Sequence, residues 1–566
     1  MDSVEKDDIL EFRLNSWMEN AAICGLVNIL GEEKVTVKEQ SVAIPVEELR
    51  NFEEAYFTYF AKQYEKLSSL TKVLAYEDEM TRHQREDFTH FDQKAYERLH
   101  KYLAVLNQYA EKGGSYLAVY PLIDSPIDIL SLLGQVKNAK KEKINFAQNS
   151  DQAIKQVRTI YDLLTDVFGY FHREDVQRYL SAKIQIYNVI NNGYGNVSFL
   201  NRQESKGNFF EKYHDYFVES MFNYLEENHE KDKLTCTNCG YPIKKGEISY
   251  SFINQAGYDA NKKQSNAWSF TNDLFMCPVC RLLYTCIPAG FTYVYKQGLF
   301  VNDNHSVRTL LNVNKGIRLN VLSLNKNEVK AIDTYAALIR TLQDSMNRQH
   351  HRELQDIQVV RYENERYYFN LLPKHVLRTI DQSKDQLPEL FNSGFILNGE
   401  YKSLYQEVIT LLMNNTNLFL LIYQVLRLKN YDDRIRISSF DIMRINKINL
   451  KFLKELRKMD EELKLDEKDL ENIKAAGYNL KKEYYDSANK NKAKSVSGRL
   501  LEALRIGNKD TFMNVLLNSY LYFNKPVPNF FLKAHLSDSL FQIIGTSFVT
   551  GMIGEIKDSK GGNDNE

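Results

Sequence analysis

The 566-residue chain carries 73 basic and 74 acidic side chains, a net charge of −1, with 43% hydrophobic and 26% charged residues. That balance is ordinary for a soluble globular protein of roughly two to four domains and argues against a free-standing, strongly basic nucleic-acid binder. Six cysteines, an opening Met-Asp-Ser-Val-Glu-Lys-Asp-Asp that is no signal peptide, and apolar runs near 418–428 and 541–553 too short or interrupted to span a bilayer point to a reducing, cytoplasmic setting without a membrane.

In chain order, residues 1–232 read as a mixed, mainly helical domain. Val35 to Val37 and Val42 to Val46 alternate like short strands, whereas Phe52, Tyr56, Tyr59, Phe60 and Tyr64, then Leu99, Leu103 and Leu106, recur at helical spacing. Lys137, Lys140, Lys141 and Lys143 make a basic stretch of the kind found in solvated loops or helix ends. A helical run over 150–191 breaks at Asn191-Asn192-Gly193-Tyr194-Gly195-Asn196, a turn-rich segment before Val197-Ser198-Phe199-Leu200.

Residues 233–300 hold two CxxC knuckles and a hairpin. The knuckles are Cys236/Cys239 and Cys277/Cys280, and the spacer between them, residues 240–276, is longer than the usual 15–20 or so. A two-residue gap lets both sulfurs of a knuckle face one ion, and four thiolates complete a closed tetrahedral shell, so the expected cofactor is a structural Zn2+. Cys24 and Cys286 read as small buried residues, Cys286 alternatively as a spare ligand. Between the knuckles Ile248, Tyr250 and Phe252 alternate like a strand. Phe291 to Tyr295 and Leu299 to Val301 read as a hairpin, and so do Ile357 to Val360 and Tyr367 to Leu371 in the continuing mixed core, 301–400. Residues 401–556 read as an all-α bundle: Leu404, Val408 and Leu411 mark one helix, Leu450, Leu453 and Leu456 another, and Phe512, Val515 and Leu516 a third behind an Asp510 or Thr511 cap. Residues 557–566 read as a disordered tail. The fold class is therefore α+β: a mixed N-terminal and central region with a zinc-bound insertion, then a C-terminal helical bundle.

The chain shows no catalytic constellation. It has no Gly-x-x-x-x-Gly-Lys, no Gly-x-Gly-x-x-Gly opening a helix and no His-Glu-x-x-His. His214-Asp215 is the nearest thing to a metal-dependent nuclease signature, but nothing in the spacing singles out further ligands. Binding features are clearer. Over 481–509 eight basic side chains, among them Lys490, Lys492, Lys494 and Arg499, face three acidic ones, a stripe that can track a phosphate backbone or be a plain solvated face. Lys244, Lys245, Lys262 and Lys263 flank the knuckles, and Asn191 and Asn192 offer amides beside glycines, suited to close backbone approach or to a tight turn.

Trp17-Met18-Glu19-Asn20-Ala21-Ala22-Ile23-Cys24-Gly25-Leu26, then Val197-Ser198-Phe199-Leu200 ahead of a CxxC…CxxC insertion and a helical C-terminal third, resemble the large subunit of type I-B CRISPR surveillance complexes (Cascade). The resemblance implies a non-catalytic subunit at the 5′ end of the guide RNA. Such a subunit checks the protospacer-adjacent motif in target double-stranded DNA, helps open the duplex, holds the displaced strand, and receives a separate helicase-nuclease. It also implies backbone and small subunits as partners, with the C-terminal bundle similar to a small subunit and Met443 a candidate internal start. The nucleic-acid residues named above rest on chemistry, not on a family motif. A zinc-ribbon regulator of nucleic acid, or a metal-dependent nuclease using His214 and Asp215, stands as the alternative.

Overall fold

In the computed structural model of the chain, β1 (Ile9–Arg13) leads into α1 (Trp17–Leu30) through a capping box: the Ser16 side chain accepts the Glu19 backbone N–H, and the Glu19 carboxylate accepts the Ser16 N–H. α1 carries no amphipathic stripe. Ala21, Ala22, Ile23, Cys24, Leu26 and Val27 are all buried, so it is a central core helix. β2 (Thr36–Val37) and β3 (Ser41–Pro45) follow, and the three strands form an antiparallel sheet in the order β1-β3-β2, with Ile9 opposite Pro45 and Val37 opposite Val42.

The structure describes residues 9–140, 144–195, 197–200, 207–244, 250–253, 275–294, 297–322, 357–363, 365–397, 399–431, 437–456 and 464–555. Lys141, Lys143, Asn196, Lys245, Ile248, Lys262, Lys263 and the expected tail 557–566 lie outside these residues. The chain divides into two units, 1–329 with 360–368 and 330–359 with 369–566.

In the first unit, α2 (Phe52–Gln63) buries an aromatic face. Tyr56 and Phe57 meet Tyr213 and Phe210, each pair with ring centroids 4.7 Å apart. The run expected over 150–191 is two helices, α3 (Ser150–His172) and α4 (Glu174–Asn188). Arg173 takes an extended ψ of 138° and pairs with Asp175 at 2.7 Å across the new helix start. β4 (Leu234–Thr235) and β5 (Pro242–Ile243) make a short ladder, and Tyr250–Phe252 is a 3-10 turn, not the strand that its alternation suggested. α5 (Pro278–Thr285) and the short α6 (Ile287–Gly290) lead to β6 (Thr292–Val294), β7 (Gln297–Asn302) and α7 (Val307–Leu322). β8 (Ile357–Glu363) and β9 (Arg366–Leu372), of which residues 360–363 and 366–368 belong to this unit, follow the last two strands in the order β6-β7-β8-β9.

Contact between α1 and α6 decides where the second knuckle sits. A Cβ on Gly25 would lie 1.9 Å from the Cys286 carbonyl oxygen, and one on Gly290 would lie 2.0 Å from that of Ala21. The two backbones therefore touch directly through reciprocal glycines, and α5, continuous with α6, is anchored to the core.

The second unit holds β10 (Gly394–Leu397) paired with β11 (Glu400–Ser403), then helices α8 (Phe419–Tyr431), α9 (Ser439–Leu456), α10 (Glu467–Asp486), α11 (Lys490–Arg505), α12 (Lys509–Tyr522) and α13 (Asp538–Ile553). α12 is capped by Asn508, whose side chain accepts the Thr511 N–H at 2.8 Å, rather than by Asp510 or Thr511. The Gly25–Gly290 device recurs here: a Cβ on Gly477 of α10 would meet Phe548 O at 2.0 Å, and one on Gly551 of α13 would meet Lys474 O at 1.9 Å. Small sheets beside dominant helices make the fold α+β.

Candidate metal centre

The first knuckle sits at the tip of the β4–β5 ladder. Cys236 N–H donates to Tyr241 O and Gly240 N–H to Cys236 O, both at 2.8 Å, and Gly240 has φ +75°, so the chain reverses within one turn. Thr237 N–H donates to Phe275 O at 2.8 Å and Phe275 N–H returns to Thr237 Oγ1 at 3.1 Å, tying the first knuckle to the residues just before the second.

The second knuckle heads α5. Cys277 is the N-cap residue: its Sγ accepts the Cys280 N–H at 3.4 Å, and Pro278 follows in the first turn, where its missing N–H costs nothing. The partial positive charge of a helix N-terminus favours a thiolate there. Asn238 bridges the knuckles, donating from Nδ2 to Cys280 Sγ at 3.5 Å while its Oδ1 accepts the Tyr284 hydroxyl at 2.8 Å.

All four sulfurs lie within 4.8 Å of one another, and Cys239 Sγ is 3.7 Å from Cys277 Sγ. A disulfide would bring two sulfurs to about 2.05 Å. Tetrahedral zinc with bonds of about 2.3 Å separates its sulfurs by about 3.8 Å, which is this spacing. The electrostatics agree. The Cys236 thiol is pushed far down because Cys239, Cys277 and Cys280 all stand ready to stabilise its thiolate, with burial opposing them. Cys277 and Cys280 are pushed far up, first because the Cys236 and Cys239 sulfurs compete for charge, then by burial. Such a cluster cannot lose all its protons unless a cation replaces them. The four cysteines could hold a metal such as zinc.

Three of these cysteines are buried, while Cys239 is exposed and, with Tyr241 and β1, lines a groove of about 670 Å3. His229, just upstream, is a brace: its ring stacks 4.2 Å from Tyr224, Nδ1 bonds Asp232 Oδ2 and Nε2 bonds Tyr224 O, each at 2.7 Å. Cys286 is fully buried with Sγ 3.8 Å from Leu282 O, and burial drives its thiol above the ordinary range. It is the buried thiol of the two readings, apart from the four-sulfur group.

The residues selected for nucleic-acid contact fall in separate places. Asn191 and Asn192 end a 3-10 turn after α4, where Asn192 Nδ2 donates to Asn188 O at 3.2 Å. The glycines beside them serve internal packing: a Cβ on Gly193 would strike Pro288 at 2.4 Å, and Gly195 N–H donates to Phe252 O at 2.7 Å. Lys244 pairs loosely with Glu227 at 3.5 Å, both well exposed. In the second unit Lys490, Lys492, Lys494 and Arg499 share the exposed face of α11, while Ala493, Val496, Leu500 and Leu504 bury the other. Lys492 Nζ sits 3.6 Å over the half-exposed Tyr522 ring, and Lys494 and Arg499 border an open hollow with Tyr431, itself 66% exposed. The aromatic partners were not anticipated. Tyr431 and Tyr522 belong to other helices, and only the packing places them beside α11.

His214 lies in a π-helical turn with Nδ1 bonded to Glu53 Oε2 at 3.0 Å. Among the described residues, the cysteine group is the one cluster of three or more His, Cys, Asp or Glu at metal-ligand spacing. No described helix is long and apolar enough to cross a membrane.

Residues 229–292 match the family model described as CRISPR-associated protein (Cas_CXXC_CXXC). The matched stretch runs from the His229 brace through both knuckles to the start of β6, so the geometry above and the family signature coincide. The match supports a CRISPR-associated protein with paired CXXC motifs and a part in CRISPR defence. No curated protein and no solved structure matches the chain.

Proposed function

We propose that the chain is the non-catalytic large subunit of a type I-B CRISPR RNA-guided surveillance complex, acting in the cytoplasm against foreign DNA. The observation that carries this reading is the coincidence of the CRISPR-associated match over 229–292 with a four-sulfur cluster built for a structural ion. In this reading Cys236, Cys239, Cys277 and Cys280 bind Zn2+ and leave no coordination position for water, so the ion supplies folding energy to the module and no chemistry. The module and its flanking lysines then take part in checking the adjacent motif and opening the duplex. The 401–556 bundle acts as a small-subunit-like surface for the displaced strand.

The exposed cations of α11 beside Tyr431 and Tyr522 support this last point, since a cationic face with aromatic platforms suits single strands. A charge of −1 over the whole chain fits a subunit that works inside an RNA-bearing assembly, with guide RNA, backbone and small subunits, and a helicase-nuclease as partners. The decisive experiment is purification of the tagged chain from its native cells, with mass spectrometry of partners and sequencing of bound RNA. Repeat-derived guide RNA in stoichiometric amounts with backbone subunits is the expected result. A chain recovered alone and free of RNA would overturn the proposal.

A further inference from the structure

We infer that a cleft of about 580 Å3 in the first unit binds a single unpaired nucleotide. The cleft lies between α4, the segments around 64–72 and 109–116, and Tyr293 of β6. Its size suits a small ligand, and its lining mixes tyrosine rings, amides, the hydroxyls of Ser69 and Ser115, the aliphatic Leu67, Ile184 and Val189, and one lysine, with no carboxylate among the described lining residues. That combination rejects cations. It offers ring faces for a base, hydrogen-bonding groups for a base edge and a cation for a phosphate.

Two buried polar atoms belong to residues of the lining. Gln185 Nε2 donates to Tyr64 O at 3.2 Å, but Gln185 Oε1 accepts nothing. The Tyr293 hydroxyl likewise has no partner, although Tyr293 and Gln185 are each only 1% exposed. Buried polar groups in folded proteins nearly always find a partner, but both atoms are sealed from a water-sized probe, so they lie behind the wall of the cleft and not on its surface. At the rim the exposed Lys72 donates from Nζ to Tyr109 OH at 2.9 Å and has no carboxylate partner among the described residues, so its charge is available to a phosphate. Asn188 and Asn192 complete the rim, which gives the sequence-selected Asn192 a place in a site.

This inference rests on the nucleic-acid reading for the source of the nucleotide and not for its chemistry. The test uses the full-length, zinc-loaded chain in two arms: titration with the four nucleoside 5′-monophosphates, and titration with short single-stranded oligonucleotides carrying a photoactivatable base. Lys72→Gln and Asn192→Ala, both near the surface, are compared with Gln185→Leu after circular dichroism confirms folding. We expect Lys72→Gln to weaken binding roughly tenfold, the loss of one charge-assisted contact, and cross-links to map to peptides holding Tyr109 or Tyr187. Binding in the first arm assigns a free nucleotide, and binding only in the second assigns a strand. No binding in either arm, cross-links only elsewhere, or wild-type affinity in folded Lys72→Gln and Asn192→Ala would overturn the cleft. Absence of guide RNA from the purified chain with mononucleotide binding retained would instead overturn the surveillance-complex reading alone.

Discussion

Cys277 does two jobs with one atom. Its sulfur caps α5 and belongs to the four-sulfur cluster, so serine, itself a good N-cap, keeps the helix end and tests the metal alone, whereas alanine would remove both. Cys277→Ser should abolish stoichiometric zinc, read by elemental analysis, and lower the melting temperature by several degrees, whereas Cys286→Ala should leave the zinc content unchanged. Zinc retained at one per chain in Cys277→Ser would contradict the assignment. A second residue-level prediction concerns His83, buried with Nδ1 2.9 Å from Tyr161 OH. Burial holds its pKa below the ordinary value of about 6.5, with Glu79 opposing. As pH falls below that value the unfolded chain takes up a proton that the native site refuses, so stability drops until the lowered native pKa is reached. Urea midpoints measured between about pH 7.5 and 5 should show this fall, and His83→Gln should flatten it, leaving the share contributed by His100, whose burial acts in the same direction. Equal slopes in both proteins would remove His83 from the account.

At the scale of elements, both units depend on reciprocal glycines that let two backbones touch. Gly290→Ala in the first unit and Gly477→Ala in the second each place a methyl about 2 Å from a backbone carbonyl oxygen, which no rotamer can relieve. Each should cost at least about 1–3 kcal/mol in chemical denaturation, and Gly134→Ala, where an added Cβ meets nothing within 4 Å, should be neutral or mildly stabilising. A loss at Gly134 as large as at the other two, or none at Gly290 and Gly477, would contradict contact as the cause, because helix propensity alone favours alanine at every helical position. These contacts also mark the limit of what the sequence tells. The knuckles, the α2 helix from Phe52, the β6–β7 and β8–β9 pairs and the helical C-terminal third follow from spacing and alternation. Gly25 and Gly290 meet across hundreds of intervening positions, so local periodicity carries no trace of them. Tyr250 to Phe252 alternates like a strand but turns instead, and among the described residues only the adjoining Ile253 makes a bridge, to Tyr194. The site divides the same way: the four cysteines are legible because two-residue gaps are local, whereas Asn238, Tyr284, Gln185 and Tyr293 acquire their roles only through distant neighbours.

For the whole molecule, the metal centre belongs to one unit only. The core that surrounds it gathers residues from α1 to α7 with Val360 and Tyr362, all of the first unit. Removing zinc with a strong chelator should therefore lower a first thermal transition and leave a second, assigned to the α8–α13 bundle, in place. Exposed Cys239 offers the chelator its line of approach. A single transition that shifts as one would show the two units to be thermodynamically inseparable. If the α11 face does contact nucleic acid, binding should weaken steeply with salt, and Lys490→Gln with Lys494→Gln should lower the salt slope by about 2 while affecting all sequences alike.

The long spacer from Gly240 to Met276 acquires a further meaning because its two ends are held together by the Asn238 and Phe275 hydrogen bonds and by the four gathered sulfurs. For a flexible segment whose ends are already fixed, doubling the length adds only about 0.6 kcal/mol. The clasp therefore lets the length of this stretch change at little cost, provided that Phe252 and Ile253 keep their places in the core. Selection can then change the number of residues between the knuckles while Ile243, Phe252 and Ile253 stay with the scaffold that they pack against.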